Sequence, residues 1–263
     1  MDRSWIAAAG GMIAAIGSDQ FPPALSGMLR QVAAFDFTVI FGYRGSARPI
    51  DLYDDFPTGK RRIFVTDYQE GPYLLDPFFL ASALPVKPGL YRMKDLAPDR
   101  FYQGEYFRTY YVRTGLAEEI GYFIDLPGSA MAVVSLMRAE RPFTAREIAA
   151  LDSVRPIVEA GIRGNWAELS ATFSQVPEES GQSRIQSHIE HAFQTFGDAI
   201  LTPREREVVE YTLKGHSAEA AGRIMSISSG TVRIHRRNIY AKLRIRSQGE
   251  LFSRFIHTLM DNG

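Results

Sequence analysis

The stretch "SISSGTVRIHRRNIYAKLRIR" (Ser226–Arg246) carries six Lys/Arg and no acidic residue. On a helix, at about 100° per residue, Arg233, Arg237, Tyr240 and Arg244 fall on one narrow face. Ile234 and Ala241 sit beside it, and Val232, His235, Ile239 and Leu243 lie on a different, mostly apolar face. Such a helix is held by one side and presents arginines from another. The flanking sequence decides whether that basic face is only solvated or meets an anionic partner.

"LTPRERE" (Leu201–Glu207) opens a helix, with Thr202 as cap, Pro203 at the first helical position and Glu205 three residues after the cap. "SAEAAGRIM" (Ser217–Met225) reads as a second helix capped by Ser217, and "SIS" is a tight turn into the basic helix. Ser247 and Glu250 form a capping box for a fourth helix, "SQGELFSRFIHTL" (Ser247–Leu259). Two helices joined by a tight turn, the second basic, describe a helix-turn-helix. The charge distribution agrees. The 263 residues have no net formal charge, yet residues 200–263 carry +5 and residues 1–199 carry −5. Such asymmetry points to nucleic acid as a partner.

Residues 201–247 resemble the C-terminal DNA-binding domain of LuxR-family transcription regulators. The matching marks are Leu201-Thr202-Pro203-Arg204-Glu205, Gly215, Ser217, Ser228, Thr231-Val232, His235, Asn238-Ile239 and Lys242-Leu243. Ala221, Gly222 and Met225 stand where that pattern usually has Ile, Ala and Leu, and glycine inside a helix costs up to about 1 kcal/mol against alanine. The resemblance and the helical face together assign base readout to Arg233, Ile234 and Arg237. Arginine can grip guanine bidentately, and an apolar chain can touch a thymine methyl. Thr231, Arg236, Lys242 and Arg244 are assigned to phosphates, while Val232 and His235 pack inward. The resemblance also implies a homodimer reading two half-sites in double-stranded DNA, with the fourth helix (Leu251, Phe252, Phe255, Ile256, Leu259) at the dimer contact.

The rest of the chain is long enough for a second domain. Cysteine is absent, and none of the five histidines precedes His188. Residues 1–187 therefore lack the usual ligands for zinc or haem and the thiol or imidazole of a hydrolase, so no cofactor is expected. Acidic residues Asp51, Asp54, Asp55, Glu118 and Glu119 are available to an enzyme, but no nucleophile–base pair accompanies them, and no enzymatic activity is expected. "WIAAAGGMIAAIG" (Trp5–Gly17) is too short to span a bilayer, and Asp2 cancels Arg3 ahead of it. It reads as a packed first helix in a cytoplasmic protein with no membrane partner.

Strand signals occur at "FDFTVIFGY" (Phe35–Tyr43), "ARPIDLYDDF" (Ala47–Phe56), "GLYRMKDL", "EEIGYFIDL" and "MAVVSLMRAE". Helical patterns cover residues 3–33, broken at "SDQFPP", then 58–83, 98–115, and the capped run from Thr144 to Leu169. Paired strands alternating with helices predict an α+β fold: an antiparallel-sheet, GAF/PAS-like sandwich followed by an all-α four-helix helix-turn-helix domain. The expected boundaries are 1–172 for a sensing domain, 173–198 for a linker with a short helix, and 199–263 for the DNA-binding domain. A phosphorylated receiver does not suit this strand order.

Aromatic residues crowd positions 35–123, and a small-molecule effector is the expected input. "YLLDPFF" (Tyr73–Phe79) and "MAVVSLMR" are similar to two segments of autoinducer-binding domains, in which an aspartate anchors the ligand amide and a small hydroxyl residue faces the pocket; the matches are Asp76 and Ser135. The tryptophans those domains place around a lactone ring are absent, since Trp5 and Trp166 are the only two. That favours another metabolite over an acyl-homoserine lactone, and an aromatic box with Asp76 or Glu119 suits an amine or quaternary ammonium. The candidate ligand-binding residues are Tyr53, Tyr68, Tyr73, Asp76, Phe78, Tyr91, Tyr106, Tyr110 and Ser135. A lactone receptor and a ligand-independent DNA-binding regulator remain the alternatives.

Overall fold

The computed structural model describes residues 4–45, 47–69, 72–82, 86–101, 107, 111–175, 193, 196–197 and 199–261. The chain forms two compact units, one of Met1–Leu96 with Thr114–Pro177, the other of Ala97–Arg113 with Glu178–Gly263. Sequence order alone places 97–113 in the sensor. In the structure this segment groups with the second unit.

The first unit is built on a five-stranded antiparallel sheet of order β2-β1-β5-β4-β3. Its strands are β1 (Phe37–Arg44), β2 (Ile50–Asp54), β3 (Gly89–Arg92), β4 (Glu118–Leu126) and β5 (Ala130–Arg138). Gly128 and Ser129, at φ 71° and 59°, reverse the chain between β4 and β5. β5 is buried along its whole length and β4 at all but Asp125. Their near-continuous apolar sequences are those of strands covered on both faces.

Alternation sorts the side chains onto two layers. Ile40, Ile120, Tyr122, Ile124, Ala132, Val134 and Leu136 face α1 (Ser4–Ala14), α2 (Phe21–Val32), α6 (Ala145–Ser153) and α7 (Arg155–Asn165). Met12, Phe21, Leu25, Leu151 and Ile162 fill that layer. Pro22 and Pro23 sit in the first turn of α2, where a missing N–H costs nothing. The single helix expected from Thr144 to Leu169 is two helices, because Pro156 cannot donate to the preceding turn and the chain breaks at Val154. A third helical segment, α8 (Leu169–Gln175), follows. The Thr144–Glu147 capping box is present, and Glu147 also binds Arg138 and Arg141.

The other sheet face carries Phe41, Tyr43, Val133, Ser135, Glu119 and Phe123. It is covered by the stretch between β2 and β3: α3 (Thr58–Arg61), a π-helical turn (Arg62–Asp67), a 3-10 turn (Pro72–Leu75) and α4 (Pro77–Ser82). A short helix, α5 (Met93–Leu96), follows β3. Phe78 packs against Gly121, and a Cβ there would be 2.7 Å from its ring.

The second unit holds α9 (Pro203–Leu213), α10 (Ala218–Ile224), α11 (Ser229–Leu243) and α12 (Gln248–Asp261). The α+β class with a four-helix C-terminal domain is as the sequence predicts. Gly222 explains itself here. A Cβ would sit 2.8 Å from the Ile227 carbonyl, in the turn before α11, whose amide bonds back to the Gly222 carbonyl at 2.9 Å. The glycine lets the turn close on the helix. The linker helix expected around Ile185–Phe196 falls mostly outside the described residues. Its Phe193 and Phe196 pack on Phe255, and Leu251, Phe252 and Phe255 are buried in the domain's own core. No helix among the described residues is long and apolar enough to cross a membrane.

Gly121→Ala should cost about 1–3 kcal/mol in urea denaturation, the usual range for overpacking. Gly42→Ala, whose Cβ meets only the flexible end of Leu169, should cost less. Equal midpoints for the two variants would show that Phe78 does not pack on the strand.

Candidate functional site

α11 begins at Ser228, whose side chain accepts the Thr231 N–H at 3.0 Å and shares a hydrogen bond with the Thr231 hydroxyl. Val232, Ile239 and Leu243 are buried, which fixes the helix by one face. Arg233, Ile234 and Arg237 are exposed on another. Arg237 makes no hydrogen bond or ion pair among the described residues, so its guanidinium is available. Arg233 pairs with Glu219 in the first turn of α10. Arg244 ends the helix in a left-handed conformation (φ 53°), with the Ile245 amide bonded back to the Tyr240 carbonyl.

Two cations of the helix are spent inside the domain. Arg236 Nε donates to the Thr212 hydroxyl on α9 at 3.1 Å, and burial lowers its pKa. Lys242 Nζ donates to Glu205 at 2.7 Å, and Glu205 also closes the capping box of α9 with Thr202. Burial pushes the Glu205 carboxyl up, but Lys242 and Thr202 more than offset it and hold it below the ordinary value. The structure therefore commits Arg236 and Lys242 to packing α11 on α9, and leaves Arg237, Ile234 and the N-terminal end around Thr231 facing outward.

In the first unit a polar chain runs through the aromatic layer. Asp76, 8% exposed, accepts the Tyr68 hydroxyl at 2.6 Å and the Phe78 amide at 2.9 Å. The Tyr68 and Tyr43 hydroxyls share a hydrogen bond at 3.2 Å. Burial raises the Asp76 pKa to about 6, against the pull of those two donors. Burial also raises the Tyr43 hydroxyl well above its ordinary value, and the charges of Asp76 and Glu119 add to the shift. Rings of Phe41, Tyr43, Tyr68, Tyr73 and Phe79 meet one another at 4.9–6.1 Å between centroids. Tyr73 is fully buried, yet its hydroxyl has no hydrogen-bond partner among the described residues, and neither has the buried Nε of Arg48. The two are within electrostatic reach of each other, and burial lifts the Tyr73 pKa to about 12.

The sequence profile described as "Bacterial regulatory proteins, luxR family" matches residues 199–255. An HTH-type transcriptional regulator of the exeN 3′ region of Aeromonas salmonicida is 30% identical over 187 residues, which span 70% of this chain and 95% of that protein. The chain belongs to the LuxR family of transcription regulators. The monoamine regulon transcriptional regulator of Klebsiella aerogenes is 30% identical over 149 residues, 57% of this chain and 54% of that protein. Among solved structures, the VqsR LBD domain from Pseudomonas aeruginosa matches 62% of this chain and 97% of its own, at 26% identity and a TM-score of 0.54.

Within this LuxR-family chain, the structure brings Tyr68, Tyr73, Asp76 and Phe78 to one layer and puts Ser135 on the sheet face beneath it. Phe78 meets Phe123 edge-on, and so does Tyr91, whose hydroxyl donates to the Lys87 carbonyl. Tyr53 is not with them. It pairs with Ile40 and packs into the opposite, helix-covered layer. Tyr106 and Tyr110 lie outside the described residues. The list of candidates omits Tyr43, Phe41 and Phe79. Tyr43 shares strand parity with Phe41 and Val39, a signal that was available in "FDFTVIFGY".

Asp55 ties the Thr38 amide, Ser26 and Arg30; Asp51 and Asp54 bind Arg61; and Glu118 binds Arg92 and the Phe143 amide.

Arg237→Ala should cost about 1–3 kcal/mol for a preferred duplex and little for a random one. Arg236→Ala should lower thermal stability while leaving the salt slope of binding unchanged. Anisotropy titrations at several salt concentrations, with melting curves, check both. The Asp76 pKa is raised on folding, so its contribution is fully present below about pH 4 and is lost as pH rises through about 6. Asp76→Asn should therefore gain stability relative to wild type between those pH values, as read from urea midpoints.

Proposed function

We propose that the chain is a ligand-responsive transcription regulator, binding double-stranded DNA as a cytoplasmic homodimer, and that its effector is a small organic amine held in the aromatic layer. The observation that carries this reading is a buried carboxylate, Asp76, whose hydrogen-bond donors among the described residues, Tyr68 and the Phe78 amide, are both neutral. An ammonium beside Asp76 would supply the missing positive charge. Ring faces around Tyr68 would add roughly 0.5–2 kcal/mol each by cation–π attraction. The unpartnered Tyr73 hydroxyl and Arg48 Nε would donate to an oxygen of the same ligand. The name of the Klebsiella aerogenes relative, a regulator of a monoamine regulon, supports an amine. A dimer follows from the helix-turn-helix, since paired half-sites are read by paired α11 helices. The effector acts by binding one arrangement of the sensor better than another.

Thermal-shift measurements on the full chain test this with a panel of aryl-alkyl and quaternary amines and with N-octanoyl homoserine lactone. An amine should raise the melting temperature of wild type, and the shift should vanish in Asp76→Asn and shrink in Tyr73→Phe. A shift with the lactone alone would make the protein a lactone receptor. No shift with any of them would favour ligand-independent regulation.

A further inference from the structure

Arg233 and Arg237 lie about one helical turn apart on the exposed face of α11, yet their surroundings differ. Arg237 makes no hydrogen bond or ion pair among the described residues. Arg233 Nη2 donates to Glu219 Oε1, 14 positions earlier in the first turn of α10. The two side chains are 62% and 48% exposed, and an ion pair so open to water adds little to stability. The helices have other ties. Ser217 caps α10 by accepting the Ala220 amide at 3.0 Å, Arg236 and Lys242 reach α9, and Val232, next to Arg233, is buried. The Glu219–Arg233 pair is therefore surplus to packing, and it engages a side chain on the DNA-facing surface.

Both ends of the pair are fixed at the backbone. Glu219 follows the Ser217 cap by two residues, Arg233 follows Val232, and the turn between the helices closes on Gly222. Its own backbone amide, helped by Arg233, holds the Glu219 carboxyl below its ordinary value, so the pair is charged at neutral pH. The guanidinium is a rigid planar fork. With Nη2 bound to a carboxylate, the plane of the fork is set and its remaining N–H groups point in fixed directions. An untied arginine can turn to a phosphate or to a single acceptor such as thymine O4. A tied one suits an edge with two acceptors side by side, and in the major groove that is guanine, with O6 and N7. The neighbouring carboxylate also weakens the pull of Arg233 on phosphates.

We infer that Glu219 is a positioning residue for Arg233. It touches no base, but it holds the guanidinium for guanine and withholds it from the DNA backbone, so that Arg233 reads more strictly than Arg237. The inference rests on the proposed reading of DNA by α11 and names what sharpens it.

The test uses the full chain. The wild type selects its tightest duplex from a randomised pool, and that duplex is then varied one base pair at a time. Arg233→Ala and Arg237→Ala mark the positions that each arginine reads, as those where base preference is lost. At the Arg233 position the wild type should prefer guanine by roughly 10- to 100-fold. Glu219→Gln keeps the size of the side chain and removes its charge. It should reduce that preference to about threefold while sparing the Arg237 position, and it should steepen the salt slope on a random duplex by about one per subunit. Made in an Arg233→Ala background, it should change neither. Circular dichroism checks that each variant folds. An undiminished guanine preference in folded Glu219→Gln would overturn the inference and leave the reading of DNA by α11 intact. Failure of Arg233→Ala to alter preference at any position would overturn the reading at that residue, and the inference with it.

Discussion

Strands β4 and β5 have almost no surface in water, and this constraint reaches every other part of the sensor. A sheet covered on both faces must satisfy its polar groups from within. The helix-covered side does so with fixed partners. Tyr122 donates to the Leu151 carbonyl at 2.9 Å, and Glu118 and Arg138 each join a strand to the segment that follows β5. The other side is different in kind. Asp76 relies there on a tyrosine and a backbone amide, and the buried Tyr73 hydroxyl and Arg48 Nε have no hydrogen-bond partner among the described residues. Orphaned polar atoms of this sort cost free energy. The proposed amine site rests on this difference between the two faces.

The DNA-binding unit divides its cations by the same logic. Arg233, Arg236, Arg237 and Lys242 look equivalent as residue types, but their surroundings separate them. Arg236 and Lys242 are drawn to acceptors on α9 and hold the reading helix down. Arg237 makes no hydrogen bond or ion pair among the described residues. Arg233 is shared with Glu219, so its availability depends on α10.

Much of this was legible in the sequence, for identifiable reasons. Caps at Thr144, Thr202 and Ser217 are local signals, and each forms as its residue pattern predicts. The layer around Asp76 was readable from aromatic crowding and from the likeness of Tyr73–Phe79 to a segment of autoinducer-binding domains. Tyr53 was not, because the register shifts between Ile40 and Phe41, and parity along β2 cannot be counted from sequence across a bulge. The inward turn of Arg236 was equally hidden, since it depends on Thr212, 24 residues away. The grouping of 97–101 with the C-terminal helices is a long-range contact with no local mark beyond Gly215.

The central claim is the proposal that the aromatic layer around Asp76 holds an amine. Hydrogen exchange on the full chain, with and without an amine that raises its melting temperature, tests this directly. The account predicts slower exchange across Tyr73–Phe79 in the presence of the amine. Unchanged exchange across Tyr73–Phe79 would contradict it, placing the amine elsewhere on the chain.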